Sequence, residues 1–206
     1  MAEPSRSVEV ELKFDVDADT PLPDWTALPG VVGASAPEPR DLDARYLDTN
    51  DHALGRAGFA LRRRTGGPDA GWHLKGPRGE DGGRVELHWP LGDHDGVPDA
   101  VAAVVAEIAD APMHPAARIR NARTAYSLLD AEGAVVAEFV DDRVVATDER
   151  RGAEQSWREW EFELGPAAPA SAGERAALFD AATDAVHAAG GRNAASESKL
   201  GRALGV

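Results

Sequence analysis

Apolar and charged residues alternate with a period of two along much of this chain, as they do in β-strands with two unlike faces. In the run 8–15, Val8, Val10, Leu12 and Phe14 fall on one side and Glu9, Glu11 and Lys13 on the other. The same alternation predicts strands over 43–48, 58–65, 71–75 and 84–90, the last two joined by a mobile hairpin loop over 76–83. A further hairpin, 120–130 with 134–142, turns at Glu132-Gly133; 143–147 continues its second strand, and another strand covers 156–164. Helical spacing is rarer. Val101, Val104, Val105 and Ile108 predict an amphipathic helix over 98–110. The segment 172–189 opens with Ser171 and Glu174 at capping-box spacing and stops at Gly190-Gly191. Residues 24–28 read as a short helical turn, 51–56 as a tight turn or one turn of helix, and a last short segment carries Ser198-Lys199-Leu200. About eight strands, few helices and no linker or internal repeat predict an α+β fold. The specific expectation is a closed eight-stranded antiparallel β-barrel with peripheral helices, one domain over 5–206.

The charged faces sharpen this picture. Arg62 and Arg64 share a face, as do His73 and Lys75, and Arg84, Glu86 and His88. Glu138 and Asp142 lie on one face with Val140, and Glu159, Glu161 and Glu163 form another charged row. A sheet with one solvated face accounts for any one of these strands alone. Here, however, basic residues concentrate in some strands and acidic residues in others, which suggests charged faces turned toward a common lumen. Guanidinium forks suit phosphate oxygens, and carboxylates suit hard divalent cations. Both in one cavity make a site for a metal–polyphosphate complex. Trp25, Trp72, Trp89, Trp157 and Trp160 are expected to pack between barrel and helices. Arg63, Arg150 and Arg151 are assigned to solvent.

Composition bounds the function. The 206 residues are 43% hydrophobic and 28% charged, the balance of a soluble globular protein. No apolar run approaches the roughly 18 residues of a membrane span, and the N-terminus lacks the layout of a signal peptide. Zero cysteines rule out disulfides and thiolate chemistry and fit a cytoplasmic location. A net charge of −14 argues against nucleic-acid or anionic-membrane partners, yet it leaves room for a locally basic pocket.

These motifs resemble the CYTH superfamily, the triphosphate tunnel metalloenzymes. Glu9-Val10-Glu11-Leu12-Lys13 is similar to the family's opening Glu-x-Glu-x-Lys. Tyr46-Leu47-Asp48-Thr49, Leu61-Arg62-Arg63-Arg64, Trp72-His73-Leu74-Lys75-Gly76-Pro77 and Arg84-Val85-Glu86 resemble its following strand motifs. Arg123 before Thr124-Ala125-Tyr126, Glu138 with Asp141-Asp142, Glu161-Phe162-Glu163-Leu164 and Ser198-Lys199-Leu200 complete the order. Two positions depart from the pattern: His88 stands where a second Glu is frequent, and Asn121 where a basic residue is. The latter leaves one phosphate contact either weaker or supplied by Arg118 or Arg120. The run from Arg118 to Tyr126, with Asp141-Asp142-Arg143-Val144, looks most like bacterial CYTH domains joined to a C-terminal CHAD domain. No CHAD segment is present in this sequence, which leaves a stand-alone form or a domain excised from a longer parent.

The resemblance implies metal-dependent hydrolysis of inorganic triphosphate. Thiamine triphosphatase, CYTH-type adenylate cyclase and a polyphosphate-binding module are the alternatives. It implies Lys13, Arg62, Arg64, Lys75, Arg84, Arg123 and Lys199 as the triphosphate grip. Glu9, Glu11, Glu86, Asp142, Glu161 and Glu163 would hold Mg²⁺ or Mn²⁺, with Glu9, Glu11, Lys13 and Lys75 the catalytic set. Tyr46 and His73, the latter on the Lys75 side, are further candidates, with packing the other reading for Tyr46 and a place at the tunnel rim the other for His73.

Overall fold

The computed structural model describes residues 3–79, 82–94 and 96–205. Glu80 and Asp81 of the expected hairpin loop lie outside the described residues. The strands are β1 (Ser5–Glu9), β2 (Glu11–Val16), β3 (Gly33–Ala34), β4 (Glu38–Asp48), β5 (Ala60–Thr65), β6 (Gly71–Arg78) and β7 (Arg84–Pro90). After them come β8 (His114–Leu129), β9 (Val135–Asp148), β10 (Ala153–Leu164) and β11 (Arg192–Asn193). The helices are α1 (Ala53–Arg56), α2 (Asp99–Ala106), α3 (Ala172–Ala189) and α4 (Lys199–Leu204). Among the described residues no helix is long and apolar enough to cross a membrane.

The fold is α+β and dominated by one antiparallel sheet, but the expected closed eight-stranded barrel is corrected. Eleven strands pair in the order β1-β7-β6-β5-β4-β8-β9-β10-β2-β11, with β3 on β8, and this path does not return on itself. The cause lies at Val10. The run expected as one strand is parted there: β1 pairs with β7, whereas β2 pairs with β10. β7 begins at Arg84, opposite Glu9, so it has no residue left to pair with β2, and β11 takes that edge instead. β1 at one end of the path and β2 next to the other end are therefore joined by the chain itself through Val10, whose carbonyl accepts a hydrogen bond from the Leu164 N–H at 3.1 Å.

The alternation places two cores on one face of the sheet. Phe14, Phe139, Trp160 and Phe162 pack beneath Leu178, Ala182 and Val186 of α3, with Trp25 against them. Leu61, Trp72, Leu74 and Trp89 pack beneath Val101 and Val105 of α2, with Leu54 of α1. Each large side chain buried in this way contributes about 1.5–3 kcal/mol of transfer free energy. α3 has the bounds its capping signals predict: Ser171 Oγ accepts from the Glu174 N–H at 3.2 Å, and Gly190 ends the helix at φ 99°. α2 is shorter than the expected 98–110, because after Ala106 the chain tightens into a turn in which Ile108 N–H bonds the Val105 carbonyl.

A third, smaller cluster lies on the opposite, inner face. Ala44, Tyr46, Ala117, Ile119, Val144 and Ala146 receive Ala203, Leu200 and Leu204 of α4 there. Ser198 caps α4 by accepting from the Gly201 N–H at 2.9 Å, and this fixes where Lys199 enters. Trp157 departs from the expected outer packing: it sits with this inner cluster and lies 4.6 Å under the Arg202 guanidinium.

Candidate active site

The inner face encloses a cavity of about 1190 Å³. Lys13, Arg62, Arg64, Lys75, Arg84 and Arg123 line it together with Glu9, Glu11, Glu161, Glu163 and Lys199. The structure thus gathers nearly all of the sequence-derived set. Glu86 and Asp142 are buried immediately behind the lining, where they contact it through ion pairs.

One wall is cationic. Arg62 and Arg64 on β5 and Arg123 on β8 crowd one another. Burial, then the Arg62 and Arg123 guanidinium groups, push Arg64 down to about 9. The buried Nε atoms of Arg62, Arg64 and Arg84 have no hydrogen-bond partner among the described residues. Arg64 meets the half-exposed carboxylate of Asp69, and Arg62 reaches the Tyr46 hydroxyl at 3.4 Å and Glu86 at 3.7 Å. Unpartnered donors on fixed, buried guanidinium forks are the arrangement that accepts phosphate oxygens.

The facing wall is anionic. Glu11 on β2, Glu163 on β10 and Glu138 on β9 stand directly opposite one another across three strands, an alignment that like charges destabilise. Arg40 relieves Glu138 with bonds of 3.1 and 3.0 Å. Lys13 and Lys75 relieve Glu11 at 3.1 and 3.3 Å, and Lys75 also meets Glu9. Glu163 has no ion-pair partner among the described residues. Burial, then Glu9, Glu11 and Glu161, push its carboxyl up to about 8. Burial and the nearby Glu86 and Glu11 likewise raise Glu9 against the pull of Lys75.

Between the walls lies a neutralised centre. Glu161 meets Lys13, Lys199 at 2.8 Å and Arg123 at 2.7 Å. Burial would raise Glu161, but these three cations hold it well below the usual carboxylate range. Asp142 accepts two bonds of 2.7 Å from Arg123 and meets Lys199 at 2.8 Å, and Lys199 also reaches Glu159 at 2.5 Å. Asp142, Glu159 and Glu161 bring ligand oxygens within 4.8 Å of one another, a metal-like geometry among the described residues. The Lys199 ammonium already occupies it. The carboxylate-only donor set of both groups suits Mg²⁺ or Mn²⁺. On the wall of Glu9, Glu11 and Glu163, Lys75 meets Glu9 and Lys13 and Lys75 meet Glu11, so Glu163 is the carboxylate there without a cation among the described residues.

Glu86 is placed differently from the other acids. It is buried against the His73 ring and near Arg62, and these hold its carboxyl low against the burial that would raise it. Burial pulls His73 down to about 4 against the attraction of Glu86. Sequence reasoning missed Arg40 and Glu159. Arg40 lies directly opposite Arg123 in register, and Glu159 directly opposite Asp142. The period-two row Glu159-Glu161-Glu163 already held the signal for the second. Asn121 is buried in the lining, but Arg118 and Arg120 do not replace the missing cation: they turn to Asp43 and Glu154. Arg150 is also reassigned from solvent. It donates to the carbonyls of Thr49 at 2.8 Å and Asp48 and Asn50 at 3.2 Å, and so ties the loop before α1 to the end of β9. Arg151 is largely exposed, as expected.

A sheet of this order, wrapped about a cavity with one basic and one acidic wall, defines a class. The chain belongs to the CYTH family, whose domain model matches residues 7–202. It is 40% identical to uncharacterized proteins of Mycobacterium tuberculosis, MT2285 of strain CDC 1551/Oshkosh and Rv2226 of strain H37Rv. Those matches cover 98% of this chain but 41% of each relative, so the chain spans less than half of their length. The fold is similar to that of a candidate adenylate cyclase of Bacillus halodurans, at TM-score 0.63 and 16% identity over 96% of this chain and 97% of that one. It is also similar to a candidate adenylyl cyclase of Hippeastrum described as having a dominant triphosphatase activity. That likeness has TM-score 0.58 and 18% identity over 96% of this chain and 95% of the other.

Proposed function

We propose that this protein is a metal-dependent triphosphatase that hydrolyses inorganic triphosphate inside the cavity. One observation carries the reading: a single cavity has an excess of buried cation on one wall and of buried carboxylate on the other. A triphosphate bound with Mg²⁺ or Mn²⁺ satisfies both at once. Arg62, Arg64, Arg84 and Arg123 would take the phosphate oxygens, Lys13 and Lys75 would pass from carboxylate partners toward the polyanion, and Lys199 would face it from among Asp142, Glu159 and Glu161. Glu9, Glu11 and Glu163 would hold the metal, with Glu161 and Asp142 fixing the lysines and Arg123 that face it. Phosphoryl transfer asks mainly for positioning and charge stabilisation, which these fixed side chains supply. The bound metal supplies neutralisation of developing charge and activation of the attacking water.

A second reading has its own observation. The far part of the lining is apolar, with Leu42, Ala44, Tyr46, Ile119 and Leu200, a surface suited to the organic part of ATP or thiamine triphosphate. A panel separates the readings: tripolyphosphate, thiamine triphosphate, ATP and long polyphosphate, each with Mg²⁺ or Mn²⁺. Fastest phosphate release from tripolyphosphate, lost in Glu161→Ala, supports the first. Cyclic AMP from ATP, or preferred hydrolysis of thiamine triphosphate, selects the second. Binding without turnover of any compound replaces both with a polyphosphate-binding module. A cytoplasmic site of action and a longer parent carrying a C-terminal CHAD domain belong to the same proposal. The length of the mycobacterial relatives supports the longer parent.

A further inference from the structure

The open edge of the cavity carries a pair of arginines that the triphosphate grip does not use together. Lys75 pairs with Glu86 and Arg78 with Arg84, so the register slips by one between them, at Gly76-Pro77. Counting by two from Lys75 would turn Arg78 away from the lumen. The bulge instead places it directly opposite Arg84, on the same face, as bulges beside functional sites commonly do. Two like charges directly opposite across a ladder repel. Among the described residues, the carboxylate that offsets them belongs to Glu197, 3.1 Å from Arg84 and 4.0 Å from Arg78, on the segment that leads into α4. The Glu197 side chain is 73% exposed, so it is free to swing away. Glu197 and Ser196 line both the main cavity and a small neighbouring one of about 230 Å³ that Arg78 also lines. Glu197, in contact with Arg84, therefore stands at the boundary of the two spaces.

We propose that Arg78 and Arg84 form a subsite for the fourth phosphate of an inorganic chain longer than triphosphate, and that Glu197 sets chain-length selectivity by competing for it. The inference rests on the triphosphatase reading. With Glu197 in place, an incoming fourth phosphate must displace a carboxylate from Arg84. Without that charge, Arg84 and Arg78 are left to the incoming phosphate. Tripolyphosphate reaches Arg84 with its last phosphate but ends before Arg78, and so is affected less.

The test compares apparent Kd values for tripolyphosphate and tetrapolyphosphate, obtained from ligand-induced stabilisation of the intact chain, in E197Q, R78A and the double variant. Both positions are exposed enough for folding to be retained, which the unliganded melting curves verify. E197Q is expected to shift the ratio of affinities toward tetrapolyphosphate by about three- to fivefold, the scale of one solvent-accessible ion pair. R78A is expected to shift it the other way and to cancel most of the E197Q gain in the double variant. An unchanged ratio in both single variants, with tripolyphosphate still bound, overturns the subsite and leaves the triphosphatase reading standing. No binding of tripolyphosphate by the parent overturns both.

Discussion

The cationic wall of β5 and β8 and the carboxylate wall of β2 and β10 are built alike but stand in opposite electrostatic debt. Both rest on period-two strands whose other face is anchored in an aromatic core beneath a helix. On the first wall Arg64 is pushed down by burial and then by neighbouring cations, and on the second Glu163 is pushed up by burial and then by neighbouring carboxylates. Between them Asp142, Glu159 and Glu161 are matched by Lys199, Lys13 and Arg123 and need no added ion. Buried groups whose surroundings disfavour their charged forms on two walls of one cavity mark a place where something binds. The difference indicates which part of the cavity is structural and which awaits a ligand.

The comparison can be broken most severely at the neutral centre. Lys199→Ala leaves three buried carboxylates short of a cation and is expected to cost about 3–5 kcal/mol in denaturant unfolding. Added Mn²⁺ should restore part of it. Arg64→Ala should act in reverse. The metal-free protein remains within about 1 kcal/mol of the parent, since crowding by Arg62 and Arg123 is relieved. Tripolyphosphate binding weakens about tenfold or more by calorimetry, the loss of one charged hydrogen-bonding group.

Glu163→Gln sharpens the carboxylate side through pH. The folded Glu163 holds its proton to about pH 8, while the unfolded chain releases it near the model-peptide value. Its stabilising contribution is complete below that lower value and is lost as pH rises through about 8. The melting temperature of the metal-free parent should therefore fall between about pH 5 and 8, and that of Glu163→Gln should fall less. The same variant should bind Mn²⁺ more weakly. Smallest of all, Arg118→Ala removes a half-exposed pair with Asp43 outside the cavity and should change stability by under about 0.5 kcal/mol, with phosphate release unaltered.

Much of this was legible in the chain because a period-two row states which residues share a face. Glu9, Glu11, Lys13, Arg62, Arg64, Lys75 and Glu161 all reached the cavity lining that the alternation assigned them. What the alternation cannot carry is partner exchange. Nothing in Glu9-Val10-Glu11 announces that one half pairs with β7 and the other with β10, and the two-residue strands β3 and β11 are too short for any period. The extra length of β4 was hidden by Pro39, and Arg40 went with it. The bulge before Arg78 inverts the face that counting by two assigns. Arg150 could not be read from sequence because its carbonyl partners lie about a hundred residues away.

The most direct test of the two-wall account is a crystal structure of the protein with Mn²⁺ and a non-hydrolysable triphosphate analogue, the metal located by its anomalous scattering. The account predicts the manganese peak at Glu9, Glu11 and Glu163 and the phosphates on Arg62, Arg64 and Arg123, with Lys199 still among Asp142, Glu159 and Glu161. Manganese in place of Lys199, or a triphosphate bound outside the cavity, would contradict it.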